Sequence, residues 1–257
     1  MDDTPLPLTE HLAELRTRII RVLIAWVAGA ALSWNFSEEI FGLLLRPAVQ
    51  ALGPEGGALQ AIAPTEIFFT YLKCAMLAGF VLALPVVFWQ VWAFVAPGLY
   101  DREKTAILPF VLVSSLLFGG GAAFGYALVF PLMFDFFTAF DSEFVRSAWT
   151  MREVFGLTTR LFLAFGVAFE LPVVVFFLAL IGIVDARTLL RHTPYAVLGI
   201  FIVAAVLTPP DWVSQVLLAV PMVALYVLGA AAAWLVSPRR EKSRSPDRGA
   251  VVESADR

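Results

Sequence analysis

The chain has 257 residues, of which 60% are hydrophobic and only 15% charged, with a mean hydropathy of +0.83. Soluble domains hold about 45–50% apolar residues, so this composition excludes a soluble globular protein and describes a polytopic helical membrane protein. The net charge of -3, with basic residues dispersed among loops, excludes a nucleic-acid-binding face.

The first residues are short and acidic rather than basic then apolar, so no secretory signal is read there and the first span serves as its own insertion signal. Thr9 is a candidate N-cap, with Glu10 in the first turn and Leu12, Leu15 and Ile19 at helical spacing, which predicts an amphipathic helix leading into the membrane. Apolar runs at residues 22–36, 74–95, 105–134, 161–184, 193–207 and 212–236 then predict six spanning helices. The run 22–36 is short for a full crossing, so Arg18 and Arg21 are expected to lay their stems on apolar surface and send their heads to the interface.

Arg16, Arg18 and Arg21 precede the first span, Arg102 and Lys104 join the second to the third, Arg187 and Arg191 join the fourth to the fifth, and Arg239, Arg240, Lys242 and Arg244 follow the sixth. By the positive-inside rule all these regions are cytoplasmic, which puts both termini inside. Residues 1–236 form one membrane domain, and residues 237–257, rich in Ser, Pro and charge without apolar periodicity, are expected to be a disordered cytoplasmic tail.

Between the first two spans Pro47, Gly53, Pro54, Gly56, Gly57 and Pro64 are expected to break any long helix, leaving at most a short one near residues 39–45. Pro85, Pro109, Pro131, Pro172 and Pro221 fall inside spans, where each removes a backbone hydrogen bond and can kink its helix, so the bundle is expected to be concave. Gly121 and Gly125 permit close helix approach, read here as internal packing rather than dimerisation. Pro209 and Pro210 force a tight hairpin between spans five and six, with Asp211 capping the sixth.

Glu170 interrupts an uncharged stretch near its centre, at an insertion cost of about 2.5–3.5 kcal/mol. Intramembrane carboxylates face a cavity, a partner or a substrate path, so Glu170 is a candidate functional group. Glu14 on the N-terminal helix and Glu103 near the start of span three lie on the cytoplasmic side, Glu103 in a first turn whose dipole favours the carboxylate. Taken singly, each could equally be a helix-end residue paired with Arg16 or Arg102. No nucleophile elbow, zinc-protease helix or phosphate loop is present, both histidines lie outside the spans, and His11 with Glu14 is a solvated pair rather than a metal site. No enzyme, cofactor or metal is therefore expected, and lone Cys74 packs as a small apolar residue.

Four separated motifs resemble the TatC subunit of the twin-arginine protein translocase: residues 11–18; residues 94–103 after Gln90, Val91 and Trp92; residues 162–172 around Glu170; and residues 207–211 with Ser214 and Gln215. The resemblance covers nearly the whole chain. It implies a bacterial inner-membrane receptor that recognises twin-arginine signal peptides on folded cargo, forms oligomers, and recruits TatA-type and TatB-type single-span partners for export driven by the proton gradient. It also implies residue roles: Glu14 and Glu103, with Arg16, in the signal-peptide site; Glu170 as the intramembrane acid; Pro47 in a loop that supports assembly; Thr208 and Gln215 at the partner-helix dock. Two rim carboxylates suit two consecutive arginines, whose planar guanidinium forks lysine cannot reproduce. A proton-coupled transporter of a small solute is the alternative, but it asks for inverted repeats that the two halves do not display. A purely structural scaffold would tolerate loss of Glu14, Glu103 and Glu170 together.

Overall fold

The computed structural model describes residues 8–53, 58–95, 107–144 and 147–243. The chain begins with α1 (Leu8–Ser33), a single 3-10 turn (Trp34–Phe36) and α2 (Ser37–Leu52). After the first connecting loop comes α3 (Pro64–Val95), then α4 (Ile107–Phe124), a π-helical turn (Gly125–Val129) and α5 (Phe130–Thr138). The second half holds α6 (Met151–Ala168), α7 (Leu171–Leu180), the short α8 (Ala186–Arg191), α9 (Thr193–Leu207) and α10 (Trp212–Ser243). Among the described residues five helical stretches are long and apolar enough to cross a membrane, and α9 is a shorter sixth. The last helix reaches Ser243, seven residues past 236; the rest of the tail lies outside the described residues.

The helices meet where side chains are absent. A Cβ on Gly79 would lie 2.2 Å from the Ala30 backbone nitrogen, and one on Gly29 would lie 2.7 Å from the Gly79 carbonyl, so α1 and α3 cross backbone to backbone. The indole of Trp26 then donates to the Met76 carbonyl at 2.7 Å across the same pair. Gly121 and Gly125 face α6, where added Cβ atoms would meet the Phe165 carbonyl and ring at 2.5 Å. Their close approach serves packing inside the chain, which makes van der Waals contact the main helix glue in lipid. The core beneath them gathers Phe130, Met133, Phe134, Leu161 and Phe165, all essentially without exposure.

Two local expectations change. Pro47 does not end the helix after the first span: α2 continues through it to Leu52, burying Leu44, Leu45, Pro47 and Ala48. Proline removes the bond its N–H would make to the Leu43 carbonyl, and that carbonyl instead accepts the Tyr126 hydroxyl at 2.7 Å. The fourth apolar run is not one helix but two, since it starts at Met151 and turns at Phe169 and Glu170. Pro172 cannot donate to the Ala168 carbonyl, and the Glu170 N–H bonds to Val167 at 3.0 Å, a tightened turn. Arg18 folds onto the end of α3.

Candidate functional site

At one end of the bundle α1 and α3 bring a small polar cluster together. Arg18 donates from Nε to Glu14 Oε1 at 3.0 Å and pairs through a second guanidinium nitrogen with the same oxygen. The same guanidinium reaches Gln90 Oε1 at 3.5 Å and the Ala93 carbonyl at 3.2 Å. Glu14 therefore pairs with Arg18, not Arg16, because residues four apart share a helix face whereas residues two apart do not. Arg16 points to open surroundings as an exposed residue. The Glu14 side chain keeps 34% of its surface exposed and Arg18 keeps 17%, so the carboxylate is held in place yet reachable. Arg18 also ties Glu14 to the segment that leads into residues 96–106, which lie outside the described residues together with Glu103.

The second polar site lies inside the fold at the turn between α6 and α7. Glu170 is 9% exposed, its Oε1 has no hydrogen-bond partner, and it stands as the N-cap of α7 without capping it. The polar groups of α4 that act on its carboxyl are the Ser114 hydroxyl and the Phe118 backbone N–H. Ser114 is wholly buried and accepts the Trp92 indole N–H at 3.1 Å, so Trp92 on α3, Ser114 on α4 and Glu170 form a polar column through the apolar interior. Around its lower part Trp92 packs on Phe110 and Phe177 at ring distances of 4.8 and 4.9 Å. Phe118 also lines an apolar cavity of about 670 Å³ bounded by α1, α2, α3, α4 and Phe162 of α6. A buried carboxyl with an unpartnered oxygen can offer a hydrogen bond to a polar group that enters the bundle, which lipid packing alone never requires.

The third site is the α9–α10 hairpin. Thr208 is buried and donates to the Ala204 carbonyl at 2.9 Å, closing α9. Asp211 caps α10 by accepting the Ser214 N–H at 2.6 Å. Gln215 donates its side-chain amide to the Phe201 carbonyl at 3.0 Å, which staples the two helices together one turn below the hairpin tip. On the outer face of α9, Tyr195, Leu198, Ile202 and Val206 are all more than half exposed at helical spacing, an apolar stripe that no other helix covers among the described residues. Pro47 is distant in sequence from all three sites and is buried on the inner face of α2, next to exposed Arg46.

What sequence reasoning missed is Arg18 as the partner of Glu14, together with the roles of Trp92 and Ser114. The Arg18 signal was available as Glu at i and Arg at i+4. The Ser114 contact joins residues 22 apart and carries no local signal.

Fold and site together define a polytopic α-helical membrane protein with one carboxyl buried inside; among the described residues no cluster could hold a metal ion. The family model described as Sec-independent protein translocase protein (TatC) matches residues 10–221. The Sec-independent protein translocase protein TatC of Desulforapulum autotrophicum is 40% identical over 97% of this chain and 91% of its own length. That of Escherichia coli strain K12 is 38% identical over 89% of this chain and 88% of its own. A crystal structure of the twin-arginine translocase receptor TatC superposes with a TM-score of 0.79 at 32% identity, covering 88% of this chain and 99% of that one. The chain belongs to the TatC family. It is a multi-pass bacterial inner-membrane component of the Sec-independent protein translocase, and the reading as a small-solute transporter is set aside.

Proposed function

We propose that this translocase subunit is the receptor for twin-arginine signal peptides and that Glu14 and Glu103, with Arg16 beside them, receive the paired arginines. The observation that carries the reading is the grip of Glu14 on the Arg18 guanidinium. The carboxylate already binds an arginine, is held against the end of α3 by it, and stays one-third exposed, so a second guanidinium has access to the rim. Charge-assisted contacts of this kind favour a planar fork over a lysine ammonium.

Both termini lie in the cytoplasm in this reading, because the cationic segments at Arg16, Arg102, Arg187 and Arg239 share one side of the six-span order. TatB-type and TatA-type single-span proteins dock on the apolar stripe of α9, near Thr208 and Gln215. At 15 residues α9 offers about 22 Å of helix at roughly 1.5 Å per residue, short of a hydrocarbon core of about 30 Å, and the thinned bilayer beside it favours an equally short partner span. Glu170 contacts the inserted signal peptide or a partner's polar group, Pro47 supports assembly of the receptor into oligomers, and the proton gradient drives the export. The test is photo-crosslinking of a twin-arginine signal peptide from a probe at Leu12: adducts that vanish in E14A/E103A, with the protein retained in membranes, support the reading, and unchanged adducts refute it.

A further inference from the structure

A second pair of opposite charges lies at the other end of the bundle, in a cavity that borders Thr208 of the proposed partner-helix dock. Glu153 and Arg160 both line a cavity of about 550 Å³, within the roughly 300–1,000 Å³ typical of small-molecule sites. They stand seven residues apart on α6, two turns along one face, and both are exposed. Neither side chain has an ion-pair or hydrogen-bond partner among the described residues. The Arg160 guanidinium folds back over Gly156, its Nη2 3.9 Å from where a Cβ there would sit, so the cation is drawn toward the start of α6 and toward Glu153. That is the direction an arginine takes to lift its charge out of hydrocarbon.

The cavity is a built one. Its upper wall is fixed by Gln60, whose backbone donates to the Trp149 carbonyl at 3.0 Å and accepts from the Met151 N–H at 2.8 Å, and by Glu66, which accepts the Arg152 N–H at 2.8 Å. Its apolar floor comes from Phe137, Val154 and Leu157, and its far side from the turn at Pro209 that ends the short α9. Exposed Trp212 beside that turn and Trp149 at the cavity wall mark the level at which indoles sit among lipid headgroups.

We infer that this cavity is a phospholipid headgroup site selective for phosphatidylethanolamine, with Arg160 on the phosphate and Glu153 on the primary ammonium. Charge complementarity selects the occupant. A guanidinium matches phosphate oxygens in a fork, and a carboxylate two turns away needs a cation with N–H donors. Phosphatidylglycerol carries the phosphate but ends in a neutral glycerol, which leaves Glu153 without a cation. Phosphatidylcholine carries a cation with no N–H to donate. The apolar floor receives the glycerol end of the chains. The inference does not depend on how signal peptides bind.

The experiment is native mass spectrometry of the full chain in detergent, offered phosphatidylethanolamine, phosphatidylglycerol and phosphatidylcholine of identical acyl chains. The wild type is expected to retain phosphatidylethanolamine preferentially, and R160Q to lose about tenfold of that retention, the scale of one charge-assisted hydrogen bond. E153Q is expected to keep phospholipid but lose the preference among the three. G156L, which leaves both charges in place and obstructs the path of the Arg160 side chain, is expected to lower retention while unfolding at the wild-type temperature. Equal retention of the three lipids by the wild type, or unchanged retention in E153Q/R160Q, overturns the inference. So does a photoreactive probe at Leu157 that captures a single-span protein in membranes and no lipid.

Discussion

The Tyr126 hydroxyl donates to the Leu43 carbonyl at 2.7 Å, and Leu43 is the residue whose carbonyl Pro47 leaves without its helical donor. A side chain from the π-helical turn thus supplies the bond that lets α2 run through a proline. Y126F should destabilise the protein by about 0.5–1.5 kcal/mol, the net value of one such bond. In a P47A background, where the backbone N–H restored by the substitution can take the same carbonyl, the Y126F cost should shrink toward zero. Thermal unfolding of the four proteins of this cycle in one detergent checks the coupling, and additive effects would disprove it.

A second prediction concerns the column of Trp92, Ser114 and Glu170. S114A removes the acceptor of a buried indole N–H and should cost about 1–3 kcal/mol, while W92F/S114A should recover part of that loss because the unpaired donor goes with it. E170Q keeps the shape and a hydrogen-bonding group but no titratable proton. Transport of a folded twin-arginine cargo by E170Q should fall with the membrane level of the protein unchanged; normal transport at every pH tested would remove a proton-linked role from Glu170.

These three residues also mark what the sequence discloses and what it hides. The apolar runs locate the spans well, because a membrane allows backbone groups few partners outside a helix. Glu170 stands out for the same reason, as a charge where none is needed. The turn at Glu170 was hidden because Pro172 inside an apolar run reads equally as a kink or a break. The passage of α2 through Pro47 was hidden because its compensation comes from Tyr126, 83 residues from Leu43. Arg18 was legible as the fourth residue after Glu14, but its second hold, on Gln90 and Ala93, is tertiary.

The hairpin staple gives a third prediction. Q215L deletes the bond to the Phe201 carbonyl and should loosen α9 against α10. Disulfide crosslinks between a TatB-type span and cysteines at Leu198 and Ile202 should then weaken severalfold. Strong crosslinks to α3 or α4 instead, unaffected by Q215L, would place the dock elsewhere.

Orientation is open to a direct check. Leu12 and Ile62 are both well exposed and lie at opposite ends of the first helical hairpin. In a C74S background, a cysteine at Leu12 should be shielded from a membrane-impermeant maleimide in intact cells and a cysteine at Ile62 should label. The reverse pattern would overturn the cytoplasmic placement of the N-terminus.

The affinity of purified protein for a twin-arginine signal peptide against its twin-lysine counterpart decides whether rim carboxylates read paired guanidinium groups. Tight binding of the arginine peptide, weak binding of the lysine peptide, and loss of that difference in E14Q/E103Q are expected. Equal affinity of the wild type for the two peptides, or a difference that survives in E14Q/E103Q, would contradict that reading.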